Sequence, residues 1–299
     1  MKYSDRLRED EVAIYLFHGV VEDHLYRIRN YTRKHIDKKT FETVLDDLCR
    51  NGSPVSMEMV LEAAQGGRPL PPRAFAITFD DGFANNLHVA APLLQERNLP
   101  ATFYLTTDFI NRNVMVWIDR IEWALEQVST GSLQIKRGSR SFSTDRERVA
   151  LLEEVRVMIK SDPKADGNAL ADDIQRQLGF VLTYSSNDPL DRKLSWDEVV
   201  RLKNHPNFMI AGHSHKHRIL SYLNDEELEN DITTSIRHLR ERAGIASHHY
   251  AYPEGLQYCY SGKVIDVLKR HGIACCPSAI DGTNSLPADP FHLRRIFVI

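Results

Sequence analysis

The feature that most constrains this chain is an alternation of short apolar runs with amphipathic stretches. Strand-like runs stand at "VAIYLFH" (12–18), "FAITF" (75–79), "ATFYLTT" (101–107), "FMIAG" (208–212), "HHYAY" (248–252), "IACCP" (273–277) and "RRIFVI" (294–299). Helical patterns lie between several of them. In "NDEELENDITTSIRHLRERAG", Asn224 and Glu227 make a capping box, Leu228, Ile232, Ile236 and Leu239 recur at helical spacing, and Gly244 supplies the stop. "SGKVIDVLKRHG" runs from Ser261 to Gly272, and "SWDEVVRL" opens with a box from Ser195 to Glu198. Strands that alternate with helices predict parallel βα units in an α/β fold.

Residues 111–190 break the rhythm. "WIDRIEWALEQV", "TDRERVALLEEVRVMIK" and "ADDIQRQLGF" read as amphipathic helices with no convincing strand between them, so the expectation is a helical insertion at about 111–190 in a single domain spanning 1–299. A chain of 299 residues carries enough apolar sequence for a large core. Its formal net charge of −3, with Lys and Arg scattered, gives no basic stripe and argues against a nucleic-acid partner. No apolar run approaches a membrane span, and the opening "MKYSDRLREDEV" is charged. Cys49, Cys259, Cys275 and Cys276 show no CxxC spacing, so the expectation is reduced thiols in a cytoplasmic protein.

Two clusters carry chemistry. The run "AFAITFDDGF" ends in adjacent carboxylates, Asp80 and Asp81, and a glycine. Alone, Asp-Asp-Gly is also a turn with a helix cap. "AGHSHKHRIL" places His213, His215 and His217 just after a strand. Alone, these are also surface histidines on a loop. Taken together, both clusters fall where a βα loop follows a strand, the edge on which α/β barrels build their sites. A carboxylate with two imidazoles and open positions left for water makes a catalytic metal site. Asp81 would supply that carboxylate, which leaves Asp80 free as a base.

"TFDDG", then "LPATFYLTT", "HSHKH" and "YAYPEG", resemble the polysaccharide deacetylases of carbohydrate esterase family 4, the NodB homology domain. The resemblance implies a distorted (β/α)7 barrel. By motif, it implies that Asp80 is the general base and that Asp81, His213 and His217 hold one divalent metal, usually zinc, with cobalt, nickel or iron also found. It leaves His215 without a role. The implied reaction is hydrolysis of an N-acetyl group on an amino sugar, the metal lowering the pKa of water, Asp80 taking its proton, and a backbone N–H near Pro253 and Glu254 stabilising the oxyanion.

Two departures from the family pattern matter. "AYPEG" has Ala251 where an arginine normally braces the base, and Glu254 where an aromatic is usual. Such "YP.G" forms look like the subgroup acting on poly-N-acetylglucosamine or surface-polysaccharide sugars, with Tyr252, Pro253 and Glu254 on the substrate side. Arg294 or Arg295 are candidates for the missing brace, with a rim arginine paired at the surface as the alternative. The usual C-terminal Leu-x-His has no counterpart. His18, ending "VAIYLFH", resembles the "YH" segment of permuted members and is the expected general acid, the alternative being a histidine capping the barrel. Trp117 is a candidate substrate wall, while Trp196 is expected to pack its own helix. The expected substrate is a nucleotide-linked, lipid-linked or oligosaccharide N-acetyl sugar of O-antigen or other surface-polysaccharide assembly. The alternatives are a hydrolase of another amide, of the formamide or cyclic ureide type, and a catalytically silent sugar-binding protein.

Overall fold

The computed structural model describes residues 2–23 and 26–299. The chain enters with β1 (Glu11–Phe17), then β2 (Gly19–Val21) and β3 (His35–Asp37), which pair with each other. Asp37 caps α1 (Lys38–Asn51) by accepting the Thr40 N–H. The short β4 (Ser53–Pro54) leads to α2 (Met57–Ala64), capped by Ser56, and then to β5 (Ala74–Phe79). After α3 (Ala91–Glu96) comes β6 (Ala101–Leu105), followed by α4 (Thr107–Arg112) and α5 (Trp117–Glu126). Strands β7 (Gly131–Ile135) and β8 (Gly138–Phe142) form an antiparallel hairpin before α6 (Asp145–Lys160) and α7 (Gly167–Gln177). The chain continues with α8 (Trp196–Lys203), β9 (Phe208–Gly212), α9 (Asp225–Ala243), α10 (Gly262–Arg270), β10 (Asn284–Ser285) and β11 (Ile296–Phe297). Among the described residues, no helix is long and apolar enough to cross a membrane.

Parallel pairing runs β1–β5–β6–β9. Single bridges extend it from Gly212 to Tyr250 and from His249 to Cys275. The Ser278 N–H donates to the Leu293 carbonyl and the Arg295 N–H to Ile280, after which β11 returns to β1 in parallel register. The hydrogen-bonded path thus comes round on itself, with its second half made of fragments. Of the expected strands, 248–252 and 273–277 contribute only those bridges, and 294–299 shortens to two residues.

Strands buried on both faces explain why β1 and β5 read as nearly continuous apolar runs. On the helix-facing side Phe17, Phe79, Phe103 and Phe208 form a continuous ladder, with centroids 5.3, 5.1 and 5.4 Å apart. The ladder belongs to the main core, into which α1, α3, α8 and α9 send Phe41, Leu94, Leu202 and Leu239. The opposite face carries Ile14, Ala76, Cys275 and Leu293 in one cluster, and Tyr104, Ala211 and Ala251 in another. The expected capping boxes at Ser195 and Asn224 are both formed, and Gly244 ends α9 in the left-handed region.

The interposed segment is not purely helical, as the sequence reading held. It contains the β7–β8 hairpin, whose Leu133 and Ile135 alternate with polar neighbours and join an apolar cluster with Ile121, Leu152 and Ile174. The alternation lasts only five residues and its other face is polar, which is too short a signal to stand out as a strand between the helices. Ile28, from the segment between β2 and β3, enters the same cluster. Three consecutive N–H groups there, from Arg27, Ile28 and Arg29, donate to the Glu126 carboxylate at the end of α5. The insertion is thereby tied to a second stretch of chain.

Candidate metal centre and active site

The chemistry-bearing residues gather where strands β1, β5 and β9 end. Period-2 alternation along β5 sends Thr78 and Asp80 to one face, and the chain then turns through Asp81 at φ +75° and Gly82 at φ +88°. A left-handed aspartate is costly for a residue with a Cβ, and such strain is typical of functional turns. The Asp80 N–H donates to the Phe17 carbonyl at 3.0 Å, which anchors the turn to β1. Beyond β9 the chain forms a compact loop, with Ser214 at φ +66° and His217 at φ +54°. Asp231 on α9 braces that loop by accepting the N–H groups of His215 (2.7 Å) and Lys216 (3.1 Å).

Asp81 Oδ1 lies 3.2 Å from His217 Nε2 and 3.7 Å from His213 Nε2. That oxygen is buried and has no hydrogen-bond partner among the described residues. His213 Nδ1 is 3.0 Å from the Ala251 carbonyl, which places the ring proton on Nδ1 and turns the Nε2 lone pair toward Asp81. One carboxylate oxygen and two imidazole nitrogens, all within 4.8 Å of one another, fit a divalent cation of the zinc class. Burial holds His213 below its ordinary range. Burial opposes the charged form of His217 as well, but the Asp81 carboxylate outweighs it and raises that imidazole. Although burial works against ionisation, the neighbouring imidazoles hold Asp81 well below the usual carboxylate range.

Asp80 stands beside this group. Its two oxygens each accept a 2.8 Å hydrogen bond from Arg295, a bidentate pair in which both side chains are buried. Arg295 Nε also donates to the Ser278 carbonyl at 2.7 Å, and the guanidinium lies over the Tyr104 ring. Burial opposes ionisation of Asp80, yet Arg295 keeps it below the ordinary range and therefore charged. The adjacent Arg294 goes elsewhere: it is exposed and bonds to the Asp281 carbonyl.

His18 follows β1 and shares a pocket of about 300 Å³ with Asp80, Asp81, His213 and His217. Its ring meets the Phe297 edge at 5.2 Å, its Nδ1 has no partner among the described residues, and burial pulls it down to about 4. Trp117, Glu254, Lys34, Arg156, Lys160 and Leu256 complete much of the pocket wall. Glu254, at φ +60°, is paired with Lys160, so the end of α6 reaches across to the loop after Tyr252. Tyr252 and Pro253 do not line this pocket. Tyr252 is a core residue that stacks on Tyr260 at 4.1 Å and donates to the Phe291 carbonyl. His215 turns away from Asp81 toward Thr107, Asp108 and His238. Trp196 packs against the main core, and its Nε1 donates to Asn111.

Sequence reasoning did not find Lys34, Arg156 or Lys160. Lys34 Nζ is fixed by Asp119 of α5 at 2.7 Å. Arg156 lies 3.7 Å from Glu122 and over the Tyr31 ring. The one available signal was the four-residue spacing of Arg156 and Lys160, which puts both on one face of α6.

Comparison with known proteins fits this architecture. The chain is 32% identical over 115 residues to the poly-beta-1,6-N-acetyl-D-glucosamine N-deacetylase of Escherichia coli (strain K12), a match covering 38% of this chain and only 14% of that protein. Its fold is similar to IcaB from Ammonifex degensii (TM-score 0.62, 16% identity, 98% of this chain and 94% of that one). It is similar also to the Streptococcus pyogenes deacetylase PplD in complex with acetate (TM-score 0.63, 13% identity, 97% and 93%). The BpsB deacetylase domain from Bordetella bronchiseptica aligns at TM-score 0.58 and 17% identity, over 97% and 96% of the two chains. The polysaccharide deacetylase profile matches residues 67–276, well over half of the sequence and the span that holds Asp80, Asp81, His213 and His217, and the chain belongs to that family.

Proposed function

We propose that this chain is a metal-dependent hydrolase that removes an N-acetyl group from an amino sugar. The observation that carries the reading is the convergence of Asp81, His213 and His217 beside a second, separately braced carboxylate, Asp80. A divalent ion held by Asp81, His213 and His217 supplies Lewis-acid polarisation of the amide carbonyl and makes water more acidic. Asp80 is the base that takes the proton of the attacking water, because Arg295 keeps it ionised and fixes its plane. Its oxygen lies 3.7 Å from His213 Nε2, so base and ligand address one point. His18 is the donor to the departing nitrogen. It is neutral in the resting site, so the proton it delivers is one gained during the cycle. Of the residues expected near the oxyanion, Pro253 has no N–H, which leaves that role to the Glu254 backbone.

The curated relative in Escherichia coli acts, by its name, on poly-beta-1,6-N-acetyl-D-glucosamine. We extend N-acetylglucosamine-type substrates to this chain on that basis. A pocket of about 300 Å³, walled on one side by the insertion, favours a single sugar unit over a long glycan. A nucleotide- or lipid-linked sugar of O-antigen or related cytoplasmic assembly is the form we favour. Acetate release should be measured on UDP-N-acetylglucosamine, a lipid-linked N-acetyl sugar and poly-N-acetylglucosamine oligomers, beside Asp80→Asn and His213→Ala. Expected is about one equivalent of metal in the catalytic site, lost in His213→Ala, with turnover abolished in Asp80→Asn while metal is retained. Full activity in Asp80→Asn would overturn the base assignment.

A further inference from the structure

Between the start of α2 and the segment leading into Tyr250, a second group of ligand-type atoms converges. We propose that Glu58, His248 and His249 form a second divalent-metal site, for zinc or a similar transition ion, separate from the catalytic centre. His248 Nε2 and His249 Nε2 each lie 3.0 Å from Glu58 Oε2, and all three ligand atoms fall within 4.8 Å of one another. Tetrahedral zinc with bonds near 2.0–2.1 Å holds neighbouring ligand atoms roughly 3.3 Å apart. Each imidazole nitrogen is within a few tenths of an ångström of that separation from Glu58, and the two nitrogens lie within 4.8 Å of each other, so side-chain adjustment would enclose an ion with water completing the shell.

The local backbone explains how two successive residues reach the same carboxylate. Successive side chains of a regular strand point to opposite faces. Here the Ser247 hydroxyl accepts the His249 N–H at 3.1 Å, a turn that interrupts the strand before the bridge to Cys275. Both imidazoles then face α2, where Glu58 occupies the first turn behind the Ser56 cap. His249 is fully buried, whereas His248 and Glu58 are about half exposed and give an ion a path from solvent. The His249 ring has no partner at Nδ1 among the described residues. If its proton sits on Nδ1, the Nε2 lone pair faces a carboxylate oxygen at 3.0 Å, a repulsion that a cation between them converts into two bonds. If the proton sits on Nε2, His249 merely donates to Glu58. The metal reading and the hydrogen-bond reading are thus separable by experiment.

The protein should be stripped with chelator, dialysed, and titrated with Zn²⁺ and with Co²⁺, whose visible absorption reports its coordination. Three proteins are compared: wild type, a His213→Ala/His217→Ala variant, and a Glu58→Gln/His248→Ala variant that spares buried His249 and so avoids a folding defect. Expected are two equivalents in wild type and one in each variant. The Glu58→Gln/His248→Ala variant should keep acetate release within about twofold, and Zn²⁺ should still raise the melting temperature of the His213→Ala/His217→Ala protein. If that protein binds no Zn²⁺ at tens of micromolar while wild type binds one equivalent, the cluster is a pair of hydrogen bonds only and the inference falls, with the catalytic reading intact. If instead wild type binds one equivalent that only Glu58→Gln/His248→Ala removes, the second site stands and the catalytic metal reading falls.

Discussion

Replacing Arg295 with Met tests how the candidate base is kept ionised. The change removes a buried guanidinium that makes two 2.8 Å bonds to Asp80 and one to the Ser278 carbonyl, while leaving a side chain of similar reach. Removing one partner of a buried ion pair typically costs about 3–5 kcal/mol, because the remaining charge is left uncompensated. With an unfolding entropy of about 2.1 cal/mol/K per residue, a chain of 299 residues loses roughly 1.6 °C per kcal/mol, so the melting temperature should fall by about 5–8 °C. The pH dependence supplies the sharper signature. In the native protein burial opposes the Asp80 charge but Arg295 prevails, and its folded pKa lies below the unfolded one. That stabilisation is present above the unfolded carboxylate pKa and is lost as pH falls through the folded value. Without Arg295 burial dominates and the sign reverses. The variant should then be least destabilised at acid pH, where Asp80 is protonated, and progressively more so as pH rises. Calorimetry between pH 5 and 8 should show the gap widening toward pH 8, and the acid limb of the rate profile should move to higher pH. An Asp80→Asn/Arg295→Met double variant should recover part of the lost stability, since no buried charge remains. A melting temperature and pH–rate profile that match wild type would refute the reasoning.

Three further expectations concern the same pocket. Gly212→Ala should lower both the melting temperature and metal affinity, the latter about tenfold or more, because the new Cβ would stand 2.3 Å from the Tyr250 ring and displace the adjacent His213; metal titration beside calorimetry checks it. His18→Ala should cut kcat by about 10²–10⁴ with metal content unchanged, the usual worth of a positioned acid or base; undiminished kcat would remove His18 from the mechanism. Lys160→Ala should raise KM about two- to tenfold with little change in kcat, the worth of one polar contact; a fall in kcat alone would show that the Glu254 pairing serves the reacting centre instead.

The sequence made the contiguous motifs legible because their chemistry is local. Asp80, Asp81, His213 and His217 follow two apolar runs, and strand geometry alone brings such ends to one rim. The pocket's cationic wall was not legible in that way. Lys34 depends on Asp119, and Lys160 on Glu254, 85 and 94 positions away in the sequence. Nothing local to either lysine selects its partner. The strands at 248–252 and 273–277 had the composition of strands, but only single bridges form there, since pairing depends on neighbours that composition does not specify.

The arginine is the instructive case. The family pattern places it in the segment occupied here by "AYPEG", where this chain has Ala251, and the sequence offered Arg294 and Arg295 without deciding between them. Alternation decides it: Leu293 and Arg295 face the side occupied by Ala76 and Thr78, while Ile296 and Val298 join the core beneath the helices. Both faces of that segment are largely apolar, so hydropathy could not assign the register; the return of β11 to β1 does. Ala251 is fully buried beside Tyr104 and Ala211, and Tyr104 is also the ring over which the Arg295 guanidinium lies. A long cation at 251 would compete for that space. The small residue at one strand and the arginine at another are two parts of one arrangement, in which the requirement is a guanidinium against Asp80 and the strand that delivers it is free to vary. Ala251→Arg in the Arg295→Ala background should accordingly restore more activity than Ala251→Arg alone leaves in place, and the reverse order of rates would show that the two positions do not share one role.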